Sequence, residues 1–119
     1  MSFGYQVLGF GSGVAAAATN QNGIFGYGKD GPGDAGDTAI TNLVSNTGVV
    51  ATDVTGVGTA RRTPAACSYG GDKGIFGYGY ANGPGLTAIT NLVSNVGVVA
   101  SDVTGVGTAR EAPAACSYN

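Results

Sequence analysis

The chain has 119 residues, of which 23 are Gly and only 10% are charged, and its formal net charge is −2. This length allows one domain at most. The sequence contains no run of about eighteen apolar residues, so no membrane-spanning helix is predicted. Arg61–Arg62 is the only adjacent basic pair, which is too little for a nucleic-acid interface. Val outnumbers Leu and Gly is abundant, so short strands joined by tight turns are expected.

The segment 1–23 is predicted to be a partial repeat. It begins with a match to a fourth strand, Phe3–Leu8, and continues with VLGFGSG, which matches VTGVGTA later in the chain. A match to a first strand follows at Val14–Ala18. The segment lacks both a basic region and an apolar core, so no signal peptide is predicted, and a virion or cytoplasmic location is expected.

Three glycines of this segment, Gly9, Gly11 and Gly13, are similar to a dinucleotide-binding fingerprint, because they lie between a strand-like run and an Ala run. The third Gly comes one position early, however. The same Gly spacing also recurs upstream of Pro64 and Pro113. A turn that joins repeats is therefore the favoured interpretation, and a nucleotide-binding enzyme is the less favoured one.

Residues 24–69 and 70–119 are predicted to form two tandem repeats, the second of which ends on an extra first strand, Pro113–Tyr118. Ile75–Tyr118 aligns with Ile24–Tyr69, and 36 of the 44 positions of the second copy are identical. The shared blocks are IFGYG, GPG, TAITNLVSN, GVVA, DVTGVGTAR and PAACSY. The copies differ in length only beside DGPGDAGD of the first copy, which predicts a surface loop there.

Each repeat is predicted to contain four short strands. From Pro64 onward these are PAACSY, GIFGYG, LTAITNLVSN and VVASDV, separated by GGDK, YANGPG and the turn at Asn95–Gly97. Apolar residues fall on both faces of the second and third strands, which predicts a sheet covered on both sides. No amphipathic helical stretch occurs. An all-β fold with about eight strands in the two repeats is expected.

This order of segments resembles a kelch-type repeat. It departs from that pattern because the glycines are split, at Gly77 and Gly79, because no Trp follows, and because Leu92 stands near the usual Tyr. The resemblance implies a β-propeller of four-stranded blades, a fold used mostly as a binding scaffold. The Gly- and Thr-rich style and the GYQVLGFGSG start also resemble short repeat proteins of bacteriophage virions. A non-enzymatic structural or interaction protein, such as a tail or capsid-associated component, is the expected function.

Catalysis is not predicted, and neither a catalytic nor a cofactor site is assigned. The chain has no His, so no Ser-His or Cys-His pair exists. Asp53 and Asp102 are equivalent carboxylates, but repetition alone produces such a pair. Cys67 and Cys116, each within PAACSY, are predicted to be unpaired structural thiols.

The loop DGPGDAGD brings Asp30, Asp34 and Asp37 close together in sequence. Clustered carboxylates are ligands that Ca²⁺ prefers, but this spacing fits no standard calcium loop. A solvated loop is predicted, and no metal site is assigned.

Three aromatic residues, Tyr27, Tyr78 and Tyr80, are candidate ligand contacts. Rings at strand spacing usually pack in a core. Tyr80 is the best candidate because it lies in a loop and has no counterpart in the first copy. A carbohydrate- or protein-binding module is therefore the alternative function, with a surface glycan or another virion protein as partner.

Self-association is predicted because two blades cannot close a propeller, which typically needs about four to eight. A trimer would supply six blades and is the preferred homo-oligomer. An open, fibre-like stack is the alternative. The candidate interface residues lie in the two end segments: Phe3, Tyr5, Val7, Pro113, Cys116 and Tyr118.

Overall fold

The computed structural model describes residues 21–118, with Asp34 described by its backbone only. This part is all-β, as predicted, and its only helical element is a 3-10 turn at Asp34–Gly36. The strands are β1 Gly23–Lys29, β2 Asp37–Val44, β3 Ala65–Tyr69, β4 Lys73–Gly77, β5 Tyr80–Ala81, β6 Gly85–Leu86 and β7 Thr90–Val93. Over these residues no helix is long and apolar enough to cross a membrane. The predicted end strands Phe3–Leu8 and Val14–Ala18 lie outside the described residues.

The two repeats build the same antiparallel pattern. In the first, β1 pairs with β2, and in the second, β4 pairs with β7. The PAACSY segment at the end of the first repeat forms β3 on the other side of β4, so this sheet has the order β3-β4-β7. Cys67 of β3 lies opposite Ile75 of β4. The predicted order of first, second and third strands is therefore seen around β4.

The predicted fourth strand is present only as isolated bridges. Val99 pairs with Val93, and Val103 pairs with Thr90. The five residues 99–103 of the fourth segment thus lie opposite the four residues of β7, and the extra residue interrupts the ladder. The interruption leaves the carbonyl of Ala100 free to accept a side-chain hydrogen bond, described below.

The predicted third strand of the second repeat is divided. Leu86 pairs with Tyr80 in the small hairpin β5–β6, whereas β7 begins only at Thr90. Between them the Oγ1 atom of Thr87 accepts a hydrogen bond from the amide of Ile89 at 3.0 Å. The extra first strand predicted at Pro113–Tyr118 is not formed.

A small core lies where the repeats meet. Tyr27 of the first repeat packs with Phe76 and Val93 of the second. Many other large apolar side chains in the described part are exposed, including Val49 and Val98. The predicted cover on both faces of each sheet is therefore incomplete within residues 21–118.

Candidate functional site at the junction of the two repeats

Tyr27 enters the junction through a β-bulge in β1. The register of β1 against β2 shifts between Gly26 and Gly28, and Tyr27 adopts a φ of 61°. A left-handed conformation costs a non-Gly residue about 1–2 kcal/mol. It persists where the surroundings fix it. Here the Tyr27 hydroxyl donates to the carbonyl of Val57 at 3.0 Å, and the ring meets Phe76 edge-on at 5.2 Å between centroids.

Arg61 is the fully buried charge of the junction, with 0% of its surface exposed. Its Nε donates to the carbonyl of Tyr78 at 2.8 Å, and Nη2 donates to Oδ1 of Asn91 at 2.7 Å. Nη1 donates to the carbonyl of Thr59 at 3.2 Å. The guanidinium carbon lies 4.1 Å from the ring centroid of Tyr27. A buried cation is tolerated when hydrogen bonds compensate it, and here each of the three guanidinium nitrogens has an acceptor, drawn from both repeats.

Asn91 and Asp102 form the receiving half of the junction. Nδ2 of Asn91 donates to the carbonyl of Ala100 at 3.0 Å and to Oδ1 of Asp102 at 2.9 Å. Oδ2 of Asp102 accepts from the Thr59 amide at 3.0 Å and from the Thr59 hydroxyl at 2.6 Å. Asn91 therefore connects the guanidinium of Arg61 on one side to a carboxylate on the other.

The ionisation of the two titratable groups fits this arrangement. Partial burial raises the pKa of Asp102, but hydrogen bonds from Thr59 and Asn91 and the charge of Arg61 outweigh it and lower the pKa below its usual value. Burial raises the pKa of Tyr27 despite the nearby guanidinium, so its hydroxyl stays a neutral donor. The junction therefore contains one cation and one anion, which are linked through a neutral amide.

The predicted ligand-contact tyrosines each lie against a guanidinium. Arg61 lies over Tyr27, Arg110 lies 3.9 Å from the ring centroid of Tyr78, and Arg62 lies 4.2 Å from that of Tyr80. The ligand role of these rings stays a prediction.

The other predicted site residues are dispersed. Asp37 forms an ion pair with Arg62 at 3.0 Å and accepts a hydrogen bond from the Asn82 amide at 2.9 Å. Among the residues described, no three metal-ligating side chains form a group that could hold an ion. Both cysteines are free, Cys67 half-buried and Cys116 exposed.

Of the predicted interface residues, Tyr118 is exposed and Pro113 is half-buried. Phe3, Tyr5 and Val7 lie outside the described residues.

A groove of about 380 Å³ opens between the turns of the two repeats. Apolar side chains such as Leu43, Val49 and Val96 line it, together with Ser and Asn residues. Among residues 21–118, no aromatic ring on which a sugar could stack lines this groove.

Sequence reasoning missed Arg61 and Asn91 as functional residues. Both belong to blocks that recur unchanged, since Arg110 and Asn42 occupy the same repeat positions. A polar Asn in the middle of an apolar strand, repeated together with an Arg, was the available signal.

A comparison with protein-family models finds no match to this chain, and comparisons with curated proteins and with solved structures find none at a significant level.

Proposed function

We propose that this chain is a non-enzymatic structural repeat protein whose repeats stack on one another and whose copies self-associate. The observation that carries the proposal is the junction around Arg61. Arg61 and Asp102 are side chains that a catalytic site would use, yet each is hydrogen-bonded across the junction to the other repeat. The ring of Tyr27 packs against Phe76 of the other repeat. These contacts serve repeat packing.

The architecture that we propose is a kelch-like propeller of four-stranded blades. The antiparallel order β3-β4-β7, followed by the Val99 and Val103 bridges, supports a blade of this type. Two blades leave a propeller open, so three copies with six blades are the proposed assembly. The exposed apolar side chains of the described part support burial against neighbouring copies.

The setting that we propose is a bacteriophage virion, where the assembly would form part of the tail or lie on the capsid. Its partners would be other virion proteins or a surface glycan. The Gly- and Thr-rich composition and the repeat style support this setting.

The mass of the purified protein in solution tests the proposal. Multi-angle light scattering is expected to give a multiple of the 11.6 kDa chain mass, with three times that mass for the trimer. A folded species that stays at the single-chain mass at every concentration would contradict self-association. Selective binding on a glycan array that is lost in Tyr80→Ala would instead support the carbohydrate-binding module.

A further inference from the structure

The C-terminal end of the second repeat already has the geometry that Arg61, Thr59 and Tyr27 have at the junction. The guanidinium of Arg110 lies 3.9 Å from the ring centroid of Tyr78, and its Nη1 donates to the carbonyl of Thr108 at 3.0 Å. The Tyr78 hydroxyl donates to the carbonyl of Val106 at 3.1 Å. These contacts repeat those of Arg61, Thr59 and Tyr27. Arg110 is exposed, however, and among residues 21–118 its Nε and Nη2 meet no acceptor.

The first repeat has the geometry of the receiving half. Nδ2 of Asn42 donates to the carbonyl of Ala51 at 3.1 Å and to Oδ1 of Asp53 at 2.8 Å, as Asn91 does with its own equivalents. Phe25, the equivalent of the buried Phe76, is 64% exposed. In the described part of the chain, no cation contacts this Asn42–Asp53 pair.

The positions where the two copies differ are complementary in charge. At the internal junction Arg62 and Tyr80 are bridge partners, each donating its amide to the other's carbonyl at 2.9 and 3.0 Å. Glu111 stands at the position of Arg62, and Lys29 stands at that of Tyr80. Joining the two ends in the geometry of the internal junction places Glu111 opposite Lys29. Opposite charges directly across a strand pair are favourable.

The strand pattern agrees with this placement. Ala114–Tyr118 has the sequence of β3, and Gly23–Gly26 of β1 has the sequence Gly-Ile-Phe-Gly found in β4. The β3–β4 register applied between copies puts Cys116 opposite Ile24. In the described part of the chain β1 pairs with β2 alone, and an open strand edge is a template for such pairing.

We propose that copies of this chain join head to tail, the Arg110 end of one copy docking on the Asn42–Asp53 face of the next as Arg61 docks on Asn91 and Asp102. The inference rests on the proposed self-association and specifies its interface. The chain's own residues 1–22 contain neither Lys nor Arg, so they cannot supply the guanidinium that this face receives at the internal junction. The occupant that we propose is a second copy, whose Arg110 end presents such a guanidinium. Such a contact closes into a ring or extends into a fibre, depending on its rotation.

Charge reversal at Lys29 or Glu111, which lie opposite each other in the proposed contact between copies, tests the head-to-tail arrangement. Sedimentation velocity over a concentration series is run on the full-length chain, on Lys29→Glu and on Glu111→Lys, with circular dichroism to verify folding. Each single variant places like charges opposite each other, so its association is expected to weaken by about fivefold. In an equimolar mixture each contact between unlike variants carries opposite charges. A fibre can satisfy this throughout and a three-membered ring at two of its three contacts, so association is expected to recover fully in a fibre and in part in a ring.

Truncation of the guanidinium is the second arm. Arg110→Ala is expected to weaken association by at least about thirtyfold, because it removes a charged donor from a contact that becomes buried. Assembly that is unchanged in Arg110→Ala, or a mixture no better than its components, overturns the head-to-tail junction while the structural role stands. An unmodified chain that is monomeric throughout overturns both.

Discussion

Phe25 and Phe76 occupy the same position of the identical pentapeptide IFGYG, yet the structure exposes 64% of Phe25 and only 5% of Phe76. The difference comes from the neighbour. Phe76 packs against Tyr27 of the preceding repeat, whereas no described residue supplies such a ring to Phe25. Burial in this protein is therefore decided by the stacking of repeats, and the sequence of a single repeat does not determine it.

Arg61 and Arg110 show the same contrast in a polar group. Both lie over a tyrosine ring and both donate to the carbonyl of the residue two positions earlier. Only Arg61 adds bonds to the following repeat, to Asn91 and to the Tyr78 carbonyl. The contacts with the tyrosine ring and with the carbonyl two positions earlier therefore form within a repeat. The bonds to Asn91 and to the Tyr78 carbonyl form across the junction. Each prediction below compares a junction residue with its equivalent at an open end.

The largest expected effect is that of Arg61→Ala against Arg110→Ala. Removal of Arg61 leaves buried acceptors without a donor and Asp102 without its compensating cation, so the free energy of unfolding is expected to fall by about 3–5 kcal/mol. Arg110→Ala removes an exposed side chain and is expected to cost less than about 1 kcal/mol. Urea unfolding at a concentration too low for association measures both. Equal losses would show that the junction does not stabilise the chain.

Much of the fold was predictable from the sequence, but the junction was not. The repeats, the all-β class and the pairing of GIFGYG with the following Thr- and Asn-rich strand follow from local patterns, and β1, β2, β4 and β7 form as those patterns indicate. Alternation fixes which segments become strands, because side chains alternate between the two faces.

The junction was not predicted because it depends on three-dimensional register. The bulge at Tyr27 turns an apparently regular strand residue into a left-handed one, which no alternation pattern reveals. The fourth strand was predicted as continuous, but Asn91 bonds to the carbonyl of Ala100 where a ladder bond would lie. Polar side chains that compete with the backbone are the general reason why such ladders end early.

A smaller effect is expected for Gly58→Ala against Gly107→Ala. Both glycines have left-handed φ values, 77° and 82°, so Ala brings the same backbone strain of about 1–2 kcal/mol at each. At Gly58 the new Cβ would also clash with the carboxylate of Asp102 and lie 2.8 Å from Nδ2 of Asn91, whereas at Gly107 the nearest atom is the Tyr78 hydroxyl at 3.8 Å. The clash is expected to add about 1–3 kcal/mol at Gly58 alone. Thermal unfolding of the two variants measures the difference, and equal melting temperatures would contradict the close approach at the junction.

The smallest effect is a pH dependence of stability to which the junction carboxylate Asp102 should contribute. Because the pKa of Asp102 is lower in the folded chain than in the unfolded one, its contribution is complete above the ordinary Asp pKa of about 3.9. It is lost as the pH falls through the lower, folded value, because the unfolded chain then binds more protons than the folded one. Urea midpoints measured from pH 6 down to pH 2.5 are expected to decrease on the acid side. Asp102→Asn should lower the midpoint at pH 6 and flatten that decrease, since Asn cannot ionise.

The matched control is Asp53→Asn, whose carboxylate accepts a hydrogen bond from Asn42 at the open face and no bond from Thr59. Its acid-side decrease is expected to follow that of the unmodified chain, and a flattening as large as that of Asp102→Asn would assign the pH dependence to the repeat itself and not to its junction.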